Sequence, residues 1–190
     1  MILSNVAIAE ALAAGDFAIE GLAGDDPGQP PFNTSSVDLR LSDQLIVPTE
    51  GPPVAMDLRQ PGIAAYLTAN SRSMTLTAEQ PFALEQNQFV LGNTVERVSF
   101  PPLDRNVCYA ARVEGRSSLA RCGILVHFTA PTIHAGFTGA ITLEIINLGF
   151  TRFLLFPGLR ICQLIIEEVK GRPSAVPNQF LGQTTPAGSR

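Results

Sequence analysis

The chain of 190 residues has few charged side chains, few cysteines and no tryptophan. Charged residues make up 16% and hydrophobic residues 45% of the sequence, which is too apolar for a disordered chain. The low share of charge favours an oligomer, because the cores of subunit interfaces are depleted of charged residues. The three cysteines, Cys108, Cys122 and Cys162, lack CxxC spacing and lie beside apolar residues. We therefore expect buried thiols and no disulfide framework.

Targeting and membrane segments are lacking as well. No Lys or Arg precedes Arg40, and Glu10 interrupts the apolar stretch 6–14, so this stretch does not fit a signal peptide. No apolar run reaches the length of a membrane span, and we expect a cytoplasmic protein without a membrane partner. The net charge of −4 gives no general attraction to nucleic acid. A small phosphorylated ligand, bound by a local cluster of arginines, fits this charge better than DNA does.

One short helix is predicted near the start of the chain. Ser4 or Asn5 can cap it, Ile8 and Leu12 share one of its faces, and Gly15 ends it. We expect it to be the longest helix of the protein. The residues 21–34 that follow are rich in Pro and Gly and are predicted to form a loop.

The remaining sequence up to residue 170 consists mostly of short segments that are rich in β-branched or aromatic residues and are separated by Pro, Gly or Asn. The predicted strands are 37–41, 82–84, 89–91, 95–98, 107–113, 124–128, 140–146, 153–156 and 159–166. Such spacing predicts an all-β sandwich, jelly roll or distorted barrel, in one domain over residues 1–170. Residues 171–190 are polar, and we expect a flexible tail that becomes ordered only against a ligand or a neighbouring subunit.

The segment GRSSLAR at residues 115–121 has the composition of a helix start. Ser117 or Ser118 can be the N-cap, which leaves backbone N–H groups free to bind an anion. Ser117 and Arg121 are four residues apart and share one face of a helical turn, and Arg116 adds a second guanidinium. These groups fit a phosphate site. A capped surface turn with solvated arginines fits the same residues, and the pattern alone leaves both interpretations open.

Glu144 lies in a strand whose alternation separates two faces. Residues 141, 143 and 145 are apolar and share one face, whereas Thr142 and Glu144 share the other. The apolar flanks predict that Glu144 is partly desolvated, with a raised pKa that suits a group taking and giving a proton. A strand Glu that faces water or an ion-pair partner is the alternative. Two interpretations are also open for Gln163, which lies in an apolar strand. Its amide either contacts a ligand or is paired with another group of the protein for structural reasons.

Four segments, taken in order, carry a recognisable pattern. They are SSVDLRLS (35–42), FALEQNQFVLGNTVERVSFP (82–101), GRSSLARCGILVHFTAPTIHAGFTGAITLEIIN (115–147) and PGLRICQLIIEE (157–168). Together they resemble the dCTP deaminase family, which shares its fold with the trimeric dUTPases. The resemblance implies a distorted jelly-roll or β-barrel of the dUTPase-like type, assembled as a homotrimer with active sites at the subunit interfaces.

The same resemblance implies hydrolytic deamination of dCTP to dUTP and ammonia, with Glu144 as general base and acid. A water held by Glu144, by Ser117 and by the backbone carbonyl of Ala130 would attack C4 of cytosine, and Arg121 would stabilise charge beside it. The substrate-binding residues that it implies are Arg116, Ser118, Thr142, Leu143, Gln163 and Gln183. Mg²⁺ is expected to travel with the triphosphate. Zinc is not expected, because the HxE and PCxxC signature is absent and only His127 and His134 supply imidazoles.

Three positions depart from the family pattern. His134 stands where the family has the Asp that receives the sugar 3′-hydroxyl and serves as the base in dUTPases, which argues against dUTPase activity. Its neutral ring can still accept a hydrogen bond from the sugar. Thr132 and Gln179 replace cations near the phosphates, which weakens triphosphate binding. Two alternatives therefore stay open, a deaminase of another deoxycytidine nucleotide and a catalytically silent trimer that binds nucleotide.

Overall fold

The computed structural model describes residues 1–49, 55–57, 59, 63–102, 107–171 and 173–174. This part of the chain contains three helices and twelve strands. The helices are α1 (Asn5–Ala13), α2 (Ile63–Ala69) and α3 (Ser117–Ala120). The strands are β1 (Ala18–Glu20), β2 (Phe32–Asn33), β3 (Ser36–Pro48), β4 (Ser71–Thr75), β5 (Phe82–Leu84), β6 (Phe89–Ser99), β7 (Cys108–Gly115), β8 (Ile124–Val126), β9 (Thr132–Ile133), β10 (Thr138–Asn147), β11 (Phe153–Leu155) and β12 (Arg160–Val169). The predicted all-β class is confirmed.

Ten of these strands join in one antiparallel sheet. Seven follow one another in the order β8-β10-β6-β3-β12-β7-β9, while β1 pairs with β6, and β2 and β4 pair with β3. The other two, β5 and β11, form a separate two-stranded ribbon. The large sheet curls into a half-barrel. Its long central strands β10, β6 and β3 therefore lie side by side, and residues on one face of them become neighbours across the strands.

The core lies on one face of this sheet, where alternate residues of the long strands meet. In β10, Ile141, Leu143 and Ile145 are at most 1% exposed. Each such side chain contributes roughly 1.5–3 kcal/mol of stability by leaving water. Thr142 and Glu144 are half-buried on the opposite face of the same strand. The alternation predicted for this strand is confirmed, and it directs Glu144 away from the core.

Helix α1 begins and ends where the sequence predicts. Ser4 is its N-cap, and the side-chain oxygen of Ser4 accepts a hydrogen bond of 3.2 Å from the backbone N–H of Ala7. Gly15 follows the helix with a φ of 71°, which residues with a side chain rarely adopt. Ile8 is fully buried in the core. In the part of the chain that is described, α1 is the longest helix, as expected.

Several boundaries differ from the predicted ones. Residues 89–91 and 95–98 belong to one strand, β6. The sequence pattern misses helix α2 and the short strands β1, β2, β4 and β9, and β2 lies within the predicted loop 21–34. Strand β8 ends at Val126, before residue 128, because His127 has a left-handed φ of 53° that interrupts the strand. The prediction of three buried thiols is wrong for Cys122, which is exposed because it lies in the turn after α3. Cys108 and Cys162 are buried.

The predicted tail lies almost wholly outside the described residues. Of residues 171–190, only 171, 173 and 174 are described, so the predictions for Gln179 and Gln183 stay predictions. Among the described helices, none has the length and hydropathy of a membrane span.

Candidate active site

Strands β8 and β10 bring a carboxylate and an imidazole together. The pairing of Ile145 with Val126 sets the two strands in register. At the end of β8, the backbone N–H of His127 donates a 2.8 Å hydrogen bond to the carbonyl of Glu144. The left-handed backbone of His127 then turns its ring towards Glu144, and Nδ1 lies 2.9 Å from the carboxylate oxygen Oε2. The result is a pair of ionisable side chains from two adjacent strands.

This pair is partly removed from water. The side chain of His127 is 8% exposed and that of Glu144 is 30% exposed. Their separation is that of a hydrogen bond, but the groups are out of line, and neither atom has an aligned hydrogen-bond partner. Both nitrogens of the ring and Oε2 of Glu144 are themselves shielded from solvent.

The pKa of Glu144 departs from the sequence-based expectation. Burial raises this pKa, whereas the contact with His127 and the positive charge of its ring lower it, and the lowering prevails. The expectation of a raised pKa is therefore wrong. Its physical reason is that the sequence shows the apolar flanks of Glu144 but not the imidazole that the neighbouring strand places beside it. A carboxyl with a lowered pKa is ionised at neutral pH, as a general base must be.

The GRSSLAR segment forms a single helical turn, α3, after β7. Its N-cap is Arg116, which makes no side-chain capping bond, so the prediction of a serine N-cap is wrong. Ser117 is instead the first helical residue, and the backbone N–H of Arg121 donates to its carbonyl at 3.1 Å. Ser117, Ser118 and Arg121 are exposed. The predicted placement of Ser117 and Arg121 on one turn is confirmed.

Arg116 is held by a buried carboxylate that the sequence analysis did not single out. Asp38 on β3 is 4% exposed, and its Oδ2 lies 3.5 Å from Nη2 of Arg116 and 3.4 Å from Nη1 of Arg160. Nη1 of Arg116 also donates to the carbonyl of Arg160 at 3.3 Å. Two guanidinium groups thus share one carboxylate and leave an excess of positive charge beside α3. The pairing of Cys162 with Gly115 explains this position, because it sets the start of β12 alongside the start of α3.

Two glycines fix the end of this segment against the turn after β10. A Cβ added at Gly149 would lie within 2.2 Å of the carbonyl oxygen of Cys122, and one added at Gly123 would lie 2.5 Å from the nitrogen of Gly149. The backbone N–H of Leu148 donates to the carbonyl of Gly123 at 2.8 Å. The two turns therefore touch backbone to backbone, and α3 is tied to the strand that carries Glu144.

The other predicted site residues are distributed as follows. Ala130, Thr132 and His134 are exposed in the stretch between β8 and β10. Leu143 points its side chain into the core, so only its main chain can meet a ligand. Gln163 is paired at both ends, because its carbonyl accepts from Ser36 at 3.0 Å and its amide donates to the carbonyl of Gly115 at 3.4 Å. This pairing favours the structural interpretation of Gln163.

Within the protomer, the structure brings together Glu144 and His127, and separately Arg116 and its partners. Among the described residues, no hydrogen bond or ion pair joins Glu144 to Ser117, Arg121 or Ala130. A cavity of about 220 Å³ lies beside the arginines, lined by Asp38, Arg40 and Arg160 among others. Another of about 350 Å³ lies at the end of α1, remote from both groups. The sequence analysis missed His127, and its one signal was a lone histidine directly after a predicted strand.

The described side chains form no cluster of metal ligands. In the described ranges, no three side chains of His, Cys, Asp or Glu converge to hold an ion. Of the two histidines, His127 faces Glu144 and His134 lies exposed elsewhere. These residues offer nothing that resembles the ligand set of a zinc deaminase, and a divalent ion bound through the phosphates of a nucleotide needs no such set.

The fold and this site define an all-β protein that carries a carboxylate–imidazole pair on the outer face of a curled sheet, with an arginine pair beside a one-turn helix. A family model described as dCTP deaminase-like matches residues 2–169. The "dCTP deaminase, dUMP-forming" of Methanosphaera stadtmanae is 36% identical over 200 residues, which cover 100% of this chain and 93% of the relative. The "dCTP deaminase" of Natronomonas pharaonis is 38% identical over 202 residues, with coverages of 100% and 94%. This chain belongs to the dCTP deaminase-like family.

A solved structure agrees on the fold. The crystal structure of 2′-deoxycytidine 5′-triphosphate deaminase from Agrobacterium tumefaciens matches with a TM-score of 0.63 at 22% identity. The match covers 88% of this chain and 47% of that chain, so this protein spans about half the length of the solved relative. The similarity shows that this chain shares the fold of that deaminase, as expected from the sequence.

Proposed function

We propose that this protein hydrolyses dCTP to dUTP and ammonia, with Glu144 as the base. The observation that carries the proposal is the half-buried carboxylate of Glu144, ionised and set beside His127 on the outer sheet face. Relatives of nearly the same length bear the name dCTP deaminase, which supports the choice of substrate. A protein that only bound nucleotide would have no evident need for a base placed in this way.

The chemistry assigns two proton transfers to Glu144. As a water oxygen bonds to C4 of cytosine, one proton of the water passes through Glu144 to N3, which has taken the C4–N3 electron pair. The second proton passes through Glu144 to the amino group, which leaves C4 as ammonia while the C4 carbonyl forms. One carboxylate thus acts first as base and then as acid. Ser117 and the carbonyl of Ala130 hold the water with Glu144, and Arg121 stabilises charge at C4.

The arginine pair supplies the other half of the site. Arg116, oriented by Asp38, is the donor that we assign to the phosphates, together with the backbone and hydroxyl of Ser118. Thr142 and the main chain of Leu143 lie beside Glu144 on β10 and meet the nucleoside. Gln183 belongs to the tail, which in this proposal closes over the bound nucleotide. Mg²⁺ enters as part of the Mg–dCTP substrate.

The product that we propose is dUTP and not dUMP. Some relatives are named dUMP-forming, so release of pyrophosphate is a specific second possibility for this chain. The exposed His134 replaces the aspartate that the resemblance assigns as the base of dUTPases, which supports dUTP as the product. The exposed position of His134 leaves it able to accept a hydrogen bond from the nucleotide.

We also propose a homotrimer. Large apolar side chains lie exposed around the active-site turns, with Phe150 at 94%, Leu148 at 51% and Phe128 at 49%. Such residues are typical of surfaces that a partner covers. Because Glu144 and α3 have no direct bond within the protomer, a trimer would complete each site with residues from two subunits. Light scattering on the purified protein tests the proposal, and the mass of a monomer would contradict it.

Product analysis tests the proposed activity. The purified protein is incubated with Mg²⁺ and, in separate samples, dCTP, dCMP and dUTP, and nucleotides and ammonia are quantified. We expect dUTP and an equal amount of ammonia from dCTP, and no product from dUTP. Formation of dUMP and pyrophosphate would replace the proposal by the dUMP-forming reaction. Tight binding of dCTP without product would support the silent trimer, and turnover of dCMP alone would support a different nucleotide substrate.

A further inference from the structure

Strand β6 bulges beside β10, next to the part of β10 that carries Glu144. The pairing of the two strands is regular up to Ala140 and again from Thr142, so that Ile141 alone lies opposite residues 94–96 of β6. A bulge interrupts the ladder of backbone hydrogen bonds and bends the strand, and bulges beside active sites often direct a side chain. Neither the sequence pattern nor the proposed function assigns a role to the residues of this bulge.

The hydroxyl of Thr94 closes this bulge. Its Oγ1 accepts a hydrogen bond of 3.0 Å from the backbone N–H of Ile141 and donates one of 2.6 Å to the carbonyl of Glu96. Thr94 is 3% exposed and Ile141 is 1% exposed, so solvent does not compete for this N–H. A buried backbone N–H without an acceptor costs free energy. The side chain of Thr94 thus supplies the acceptor that the interrupted ladder does not.

The position of Glu144 along β6 is set from the bulge onwards. Residues 142–146 of β10 pair one by one with residues 89–93 of β6, in antiparallel order, and Glu144 lies opposite Leu91. This regular stretch begins directly after Ile141. The bond that closes the bulge therefore fixes which residues of the two strands become partners. A register shift of one residue would turn Glu144 from the outer face of the sheet towards the core.

The arginine pair is held by other contacts. The carboxylate of Asp38 on β3 holds Arg116 beside α3 and Arg160 at the start of β12, and neither Thr94 nor β10 takes part in these contacts. Loss of the Thr94 hydroxyl would therefore disturb the strand that carries Glu144 and leave the donors to the phosphates in place. Such a change is expected to lower kcat and to leave KM nearly unchanged.

We propose that Thr94 is a positioning residue for the reaction, which closes the bulge in β6 and thereby holds Glu144 in register to serve C4 of the bound nucleotide. This inference rests on the proposed function. Thr94 is buried and contacts no substrate. It acts through the backbone of β10, by the hydrogen bond that its Oγ1 accepts from Ile141.

A series of variants at Thr94 tests the inference. Thr94→Val keeps the shape of the side chain and removes the hydroxyl, Thr94→Ser keeps the hydroxyl, and Thr94→Cys leaves only a weak acceptor. We expect Thr94→Val to lower kcat for dCTP by about 10- to 100-fold with KM within about twofold of the wild type, because small displacements of a catalytic group have effects of this size. Thr94→Ser should have nearly the kcat of the wild type, and Thr94→Cys an intermediate one. The comparison of Ser with Cys tests the inference where Thr94→Val does not fold.

A control for stability separates positioning from a general loss of packing. Ile8→Val shortens a fully buried side chain of α1, and we expect it to lower the Tm and to leave kcat unchanged. Hydrogen exchange of the β10 amides, followed by mass spectrometry of peptides, should become faster relative to the rest of the sheet in Thr94→Val and not in Ile8→Val.

Several results would overturn the inference. They are an unchanged kcat in Thr94→Val, a loss confined to KM, an equal fall of kcat in Ile8→Val, and a kcat of Thr94→Ser no higher than that of Thr94→Cys. Each of them leaves deamination by the wild type intact. A wild type that releases no ammonia from dCTP contradicts the proposed function itself.

Discussion

Oε2 of Glu144 lies 2.9 Å from Nδ1 of His127, and the two residues come from adjacent strands, 17 positions apart in the chain. Their meeting depends on the left-handed backbone of His127 and on the register of β8 against β10. The imidazole outweighs the effect of burial and keeps the pKa of Glu144 below its ordinary value. His127 thus keeps the proposed base, Glu144, ionised, although the proposed reaction assigns His127 no contact with the substrate.

Exchange of His127 for Asn is expected to move the acid limb of the pH profile. Asn tolerates the left-handed conformation and removes the positive partner. The main opposition to burial, which raises the pKa of Glu144, is then lost, so the carboxylate takes up its proton at a higher pH than in the wild type. Measured kcat/KM against pH should show the acid limb shifted to higher pH. His134→Asn, which alters the exposed histidine, should leave that limb in place; an unmoved limb in His127→Asn would contradict the role of His127.

Loss of the carboxylate that holds Arg116 should weaken nucleotide binding more than turnover. Asp38→Asn frees both Arg116 and Arg160 from their shared partner. We expect KM for dCTP to rise several-fold with little change in kcat, and stability to fall by about 1–2 kcal/mol. Steady-state kinetics and urea unfolding measure the two effects. Glu85→Gln breaks the exposed pair with Arg152 as a control, and equal effects of the two variants would contradict a specific role of Asp38.

The buried carboxylate of Glu96 predicts a large stability effect at Arg40. Glu96 is 1% exposed, and it accepts hydrogen bonds from the backbone N–H of Arg40 at 2.8 Å and from its Nε at 2.7 Å. Arg40→Ala leaves this carboxylate buried without its counter-charge, at a cost of about 3 kcal/mol. Urea unfolding measures this loss of stability. Arg97→Ala, which removes a 3.9 Å contact with Glu20 between exposed side chains, should change stability by less than about 0.5 kcal/mol.

The contact of the two turns predicts a defect at Gly149. Gly149→Ala would place a methyl group on the carbonyl of Cys122, so the turn after α3 must move away from β10. We expect a loss of about 1–3 kcal/mol of stability and a fall in kcat/KM, because α3 carries Ser117 and Arg121 of the proposed site and is displaced from its position. Gly24→Ala, where a Cβ has ordinary contacts of 3.4 Å or more, is the control. Unchanged stability and activity in Gly149→Ala would contradict the tie between the turns.

Local patterns in the sequence are sufficient to predict part of this structure. The all-β class, the capped helix from Ser4 to Gly15 and the two faces of β10 follow from capping and alternation, which act over a few residues. The orientation of Glu144 away from the core could therefore be predicted. The short strands β1, β2, β4 and β9 could not be predicted, because two to five residues carry too little periodicity to indicate a strand.

The candidate site depends on relationships that no local pattern contains. His127 meets Glu144, and Asp38 meets Arg116, only through the pairing of strands distant in sequence. For the same reason the pKa direction of Glu144 was predicted with the wrong sign. The bond by which Thr94 closes the bulge is also a property of strand pairing, since a Thr in a strand carries no sign of a bulge beside it. Sequence reasoning identified the carboxylate that we propose as the base and missed the groups that contact it.

The Glu144→Gln variant tests the central claim most directly. Gln keeps the shape of the side chain but cannot take or give the protons of the reaction. Ammonia release from dCTP and the affinity for dCTP are measured on the same preparations of wild type, Glu144→Gln and the surface control Glu10→Gln. The account predicts that Glu144→Gln binds dCTP with similar affinity and releases ammonia at least about 100-fold more slowly, while Glu10→Gln matches the wild type. Ammonia release by Glu144→Gln at the wild-type rate would contradict it.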